Sequence, residues 1–182
     1  MTAPIQAASG ATTRAWTYVR DLRTLPLAEL FFEATQLMLA YCACIDEDRL
    51  EDWPGFFAPD GHYELITREN AERGLPATAM LCEGTAMMRD RVVSLRHANV
   101  YAKQYYRHLV TDVLIGERSE SSVSIASNYL VTRTLAMDGD PIVFSVGRAT
   151  DTLVLTDQGL RFRSRRVIAD NDRIHTLLVL PI

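Results

Sequence analysis

Apolar positions along this chain change period near residue 100. From Pro26 onward Leu27, Leu30, Phe31, Ala34, Leu37, Tyr41 and Ile45 recur at three- and four-residue spacings, which predicts a long amphipathic helix with Pro26 in its opening turn. Asp48 with Glu51 three residues on has the form of a capping box. It predicts a short second helix whose apolar side is Leu50, Trp53, Phe56 and Phe57, kept short by Pro54-Gly55. Pro59-Asp60-Gly61 then reads as a turn into a strand over His62–Thr67. Asn70 to Pro76 is a polar loop, followed by a short strand over Ala77–Cys82. Thr85 after Gly84 is placed to cap a third helix, with Met88, Val92 and Leu95 facing inward.

Between Gln104 and Asp170 the period becomes two. Four long strands are expected, separated by a polar tip at Arg118–Ser121 and by turns at Asp138-Gly139-Asp140-Pro141 and Asp157-Gln158-Gly159. Over Ser122–Leu135 the residues Val123, Ile125, Tyr129, Val131 and Leu135 alternate with smaller or polar ones, as in a half-buried strand. A last apolar segment, Ile174–Leu180, stops at Pro181. Helices precede the strands instead of alternating with them, so an antiparallel sheet packed on helices is expected rather than a parallel βαβ sheet. Residues 1–25, rich in Ala, Thr and Ser without sustained periodicity, read as a flexible arm, and 26–182 as one α+β domain.

Composition narrows the function classes. At 182 residues the chain can bury a core without staples, and its 48% hydrophobic and 23% charged residues are ordinary for a globular domain. A net charge of −4 and a pI near 5.6 argue against a nucleic-acid partner. No apolar run is read as a membrane span, and Met1–Ala11 lacks a charged segment followed by an apolar one, so a cytoplasmic location is expected. Cys42 and Cys44 are two apart in a helical pattern and do not face each other; with Cys82 they read as buried free thiols.

Little chemistry is written in the motifs. A Rieske cluster needs paired Cys and His ligands, and the chain has neither a Cys-x-His nor a Cys-x-x-His pair. His62, His97, His108 and His175 are scattered over different elements, which disfavours a mononuclear iron site. Nucleophile elbows and phosphate-binding Gly loops are missing as well. Acid–base work stays open. His108 and Asp112 share one strand face by parity with Tyr106, Asp46 closes the first helix near a pocket mouth, and Tyr63 lies on the next strand. A capping role for Asp46 and a structural hydrogen bond at His108 are the plainer alternatives. Arg161, Arg163 and Arg165 fall on one face of the last strand with Arg166 behind them, either a charge-protected edge or a docking stripe for an acidic partner.

Five segments, taken in order, resemble the small (beta) subunit of Rieske-type aromatic-ring-hydroxylating dioxygenases. They are Tyr41…Leu50-Glu51-Asp52-Trp53, Phe56-Phe57-Ala58-Pro59-Asp60-Gly61-His62-Tyr63, Asp90-Arg91-Val92…Leu95-Arg96, Tyr106-Arg107-His108-Leu109-Val110-Thr111 and Leu177-Leu178-Val179-Leu180-Pro181-Ile182. The resemblance spans roughly residues 27–182. It implies a cystatin-like, ketosteroid-isomerase-like cone with a long curved antiparallel sheet packed on N-terminal helices, similar in outline to scytalone dehydratase. It further implies a non-catalytic, structural subunit with no catalytic, cofactor-binding or metal-binding residues of its own. The Rieske 2Fe-2S cluster and mononuclear iron are then expected in a large (alpha) subunit, three large plus three small subunits forming the assembly, with an electron-transfer reductase acting indirectly. Among such subunits the chain looks nearest to those serving aromatic carboxylates such as terephthalate, anthranilate or salicylate. The rival from another class is a stand-alone isomerase or dehydratase of the same fold using Asp46, Tyr63 and His108. Similarity of fold does not transfer that activity.

Overall fold

The computed structural model describes residues 21–98, 102–137, 139–171 and 180–182. Most of the expected arm, Asp138 of one turn, and Ile174–Val179 with His175 lie outside the described residues. The elements are a 3-10 turn at Leu22–Thr24, α1 (Leu27–Asp46), a 3-10 turn at Trp53–Phe56, β1 (Phe57–Thr67), α2 (Arg68–Glu72), β2 (Thr78–Glu83) and α3 (Gly84–His97). The strands β3 (Gln104–Arg118), β4 (Ser122–Leu135), β5 (Pro141–Thr156) and β6 (Gly159–Ala169) follow. The architecture is the expected α+β cone. One six-stranded sheet, ordered β2-β1-β6-β5-β4-β3, curves round α1, which packs against β3 and β6, while α3 packs on β1 and β2.

The sheet is not wholly antiparallel. β1 runs parallel to β6, with His62 opposite Ser164 and Leu65 opposite Val167. The intervening β2, α3 and β3–β5 supply the long crossover that a parallel pair requires. Sequence order misses this pairing because it joins the first long strand to the last.

α1 forms where its spacing predicts, but the buried set differs. Leu30, Ala34, Met38, Tyr41, Cys42, Cys44 and Ile45 are buried, whereas Leu27 and Phe31 are exposed. The second half of the helix is buried on more than one side, whereas Leu27, Phe31 and Phe32 in its first turns are exposed. By length and composition alone α1 is apolar enough to cross a membrane, contrary to the sequence reading. Here Leu30, Ala34, Met38, Tyr41 and Ile45 join the core, while Leu27, Phe31, Phe32 and Leu39 stay exposed.

The capping-box reading of Asp48 and Glu51 is corrected. Asp48 takes a left-handed conformation (φ 57°), and only a 3-10 turn follows. Both carboxylates bind Arg96 of α3, Asp48 at 2.8 Å and Glu51 at 2.8 Å. That bond holds the Glu51 carboxyl down at about 2. Residues 70–72, expected as the start of a polar loop, instead complete the helical turn Arg68–Glu72, capped by Thr67. Leu22, assigned to the arm, is fully buried and its N–H donates to the Glu120 carbonyl at 2.8 Å.

Candidate functional site

The end of α1 and the start of β3 meet through Asp46 and His108. One carboxylate oxygen accepts the His108 backbone N–H at 3.0 Å, and the other bonds Nδ1 of the ring at 2.6 Å. The side chains are 2% (His108) and 10% (Asp46) exposed. To donate, Nδ1 must carry the proton, so in the neutral ring Nε2 is an acceptor; it is buried with no partner among the described residues. This carboxylate–imidazole pair is the one convergence of the sequence candidates that the fold delivers. A cleft of about 350 Å³ opens at the Asp46 end, lined by Ile45, Lys103, Tyr105, Tyr106 and Leu180.

Tyr63 and Asp112 do not join it. The Tyr63 hydroxyl is fully engaged by Ile182, accepting its N–H at 2.8 Å and donating to its carbonyl at 3.1 Å. Tyr41 donates to the same carbonyl at 3.0 Å. Burial raises both phenols, which stay neutral donors. Around them Trp53, Phe57 and Phe162 meet edge-on or tilted, with ring centroids of the Trp53–Tyr63 pair 5.5 Å apart. The chain's own Ile182 thus sits where the rival reading needs a substrate-facing phenol.

Asp112 fails for a local reason. It has φ 51° and the β3–β4 register shifts between Thr111 and Leu114, so a bulge reverses the parity past Thr111. Tyr106 and His108 point inward, while the Asp112 carboxylate lies outside and accepts from Asn128 at 2.7 Å.

A second bulge breaks the arginine stripe. Between Phe162 and Ser164 the register of β6 shifts against both neighbours. Arg163 points outward to Asp60, whereas Arg165 turns into the core and pairs with Asp151 at 2.8 Å, both side chains almost wholly buried. Arg161 bonds Leu160 and Gln158, and Arg166 bonds Glu64. The Arg165 guanidinium also lies 4.5 Å above the Tyr41 ring. Burial pushes the Asp151 carboxyl up to about 6 although Arg165 opposes the shift. Burial pulls the other way on Arg165, but Asp151 and its neighbours hold it above its ordinary range. Sequence reasoning did not single out Asp151. Its signal was a charged residue at the inward parity of β5, between Ala149 and Leu153.

The cysteines are buried free thiols, as expected, and burial raises Cys42 and Cys44 to about 11. His62 lies on β1 and His97 at the end of α3. Among the described residues no three His, Cys, Asp or Glu side chains converge to hold a metal ion. The donors among the described residues do not fit a Rieske cluster or a mononuclear iron.

Comparison with known proteins agrees with the geometry. A family described as ring hydroxylating beta subunit matches residues 42–176. The anthranilate 1,2-dioxygenase small subunit of Burkholderia cepacia is 42% identical, over 84% of this chain and 94% of that one. A terephthalate 1,2-dioxygenase terminal oxygenase component subunit beta 2 of a Comamonas species is 32% identical, over 79% and 92%. The crystal structure of a beta subunit assigned to an aromatic-ring-hydroxylating dioxygenase of Novosphingobium aromaticivorans superposes with a TM-score of 0.79 and 37% identity, covering 86% of this chain and all of that one. By sequence, by fold and over most of its length, the chain belongs to the beta subunits of the ring-hydroxylating dioxygenases.

Proposed function

We propose that this chain is the non-catalytic, structural small subunit of the terminal oxygenase component of a multicomponent dioxygenase that attacks an aromatic carboxylate of the anthranilate or terephthalate kind. The observation that carries this reading is the state of the three residues an independent enzyme would use. Both oxygens of Asp46 are committed to His108, and the Tyr63 hydroxyl is closed off by Ile182 inside an aromatic cluster. The names of the two relatives support the substrate class. On this reading the 2Fe-2S cluster and the oxygen-activating iron reside in a large subunit, three copies of each chain assemble in the cytoplasm, and a reductase delivers electrons to the large subunit. This chain's part is to present a rigid, prefolded surface to that subunit.

A second reading is favoured by one observation only, the orientation of His108 by Asp46, which suits a general base. Co-expression with the cognate large subunit separates the two. The structural reading expects one complex containing both chains, with iron confined to the large one. A self-contained homomer with isomerase or dehydratase activity, or stoichiometric iron in the isolated small chain, overturns it.

A further inference from the structure

The outward face of β3–β5 carries exposed or half-buried apolar residues on three adjacent strands. Register places Leu109 opposite Leu130 and Leu130 opposite Val146, one apolar row across three strands. The next rows toward the β4–β5 turn are Arg107–Thr132–Val143 and Tyr105–Thr134–Pro141, and on the other side lies Thr111–Asn128–Arg148. Tyr105 is 50% exposed, Leu109 51%, Val143 62% and Val146 40%. β3 is also the sheet's edge strand, 15 residues long, with its outer edge unpaired among the described residues. A long edge beside a contiguous apolar face is a hazard that native chains cover.

Charge indicates what covers it. Arg107 and Arg148 stand on the two rows that flank the apolar one, and neither has a carboxylate partner among the described residues, although the chain as a whole carries −4. Two carboxylates at the margin are already engaged, Asp112 by Asn128 and Asp170 by Arg68 at 2.6 Å. A two-fold pairing of this face with itself would bring four unpaired guanidiniums into one interface, which costs affinity. A different surface, apolar at its centre and carrying carboxylates at its rim, satisfies both features.

We propose that this face, centred on Leu109, Leu130 and Val146 and flanked by Arg107 and Arg148, is where the large oxygenase subunit docks. The proposal rests on the subunit reading above and adds the footprint and the partner's chemistry. Leu109 contributes apolar area at the centre, and the arginines set register and salt dependence.

The test measures affinity of the purified chain for its cognate large subunit at two salt concentrations. Leu109→Asp and Arg148→Glu, both at exposed positions, are each expected to raise Kd at least ten-fold, and the Arg148→Glu variant is expected to lose salt dependence. Arg89→Glu on α3, which packs on β1 and β2 at the far end of the sheet, is expected to bind like the parent. Parent-like Kd for both face variants overturns the footprint. If the parent itself shows no binding to the large subunit, the subunit reading fails instead. If the face variants turn a homomer of the isolated chain into monomers while binding the large subunit as tightly as before, a second copy is the occupant and the proposal is overturned.

Discussion

Replacing Tyr63 by Phe removes one oxygen atom and keeps the ring that packs against Trp53 and Phe57. Two bonds go with it, and their losses differ in kind. The Ile182 carbonyl retains Tyr41 as donor at 3.0 Å, so this half costs about 0.5–1 kcal/mol. The Ile182 N–H, paired with Tyr63 at 2.8 Å, is left buried without an acceptor, and an orphaned donor costs about 1–3 kcal/mol. The sum is about 1.5–4 kcal/mol. Tyr41→Phe removes only one of two donors to a carbonyl and is expected to cost about 0.5–1 kcal/mol. In the double variant the carbonyl is orphaned as well, so its cost is expected to exceed the sum of the singles by about 1 kcal/mol. Urea denaturation of the purified chain measures all three, with an unchanged m value as the condition for comparing midpoints. A Tyr63→Phe cost below 0.5 kcal/mol, or Tyr41→Phe as the costlier change, refutes the claim that Ile182 is anchored through Tyr63.

Asp46→Asn retains one acceptor for the His108 N–H, while Asp46→Ala orphans both donors. Stability losses of about 1 and 2–4 kcal/mol are expected by denaturation, and equal losses would count against the bidentate bond. A Cβ at Gly147 would run into the Ile168 carbonyl on β6, so Gly147→Ala is expected to cost about 1–3 kcal/mol; a neutral thermal shift would show that β5 can move away. Burial holds the Asp151 carboxyl at about 6 against an ordinary 3.8, so the folded chain binds this proton more tightly than the unfolded chain. Its contribution to stability is full below about pH 4 and is lost as pH rises through 6. Asp151→Asn is expected to flatten that part of the Tm–pH curve whatever its constant offset, and an unchanged slope would contradict the assignment.

The long-period features were legible because local pattern encodes them. Helix α1 and α3, the four long strands and their turns follow from spacing and from Gly, Pro and Asp at the connections. What escaped was set by registers no local pattern records. The bulge at Asp112 reversed the parity that had joined it to His108, and the bulge before Ser164 sent Arg165 inward from a stripe read as exposed. Asp48 and Glu51 have the spacing of a cap, yet Arg96, 48 residues beyond Asp48, claims both. Asp46 and His108 were both named from sequence because one ends a helix and the other opens a strand. Their bond became visible only once α1 lay across β3. The Tyr63–Ile182 bond spans 119 residues and carries no sequence signal.

On the subunit reading, Asp46 and His108 hold structure and take no part in the chemistry. That role is tested most directly by turnover of the assembled oxygenase containing His108→Ala, normalised to iron-loaded complex. Reduced stability or recovery of the complex is expected, with turnover per iron site within about three-fold of the parent. Loss of an acid–base group costs typically 10²–10⁴-fold with the fold intact. A drop of about a hundred-fold per iron site in a fully assembled complex would show that His108 takes part in the chemistry.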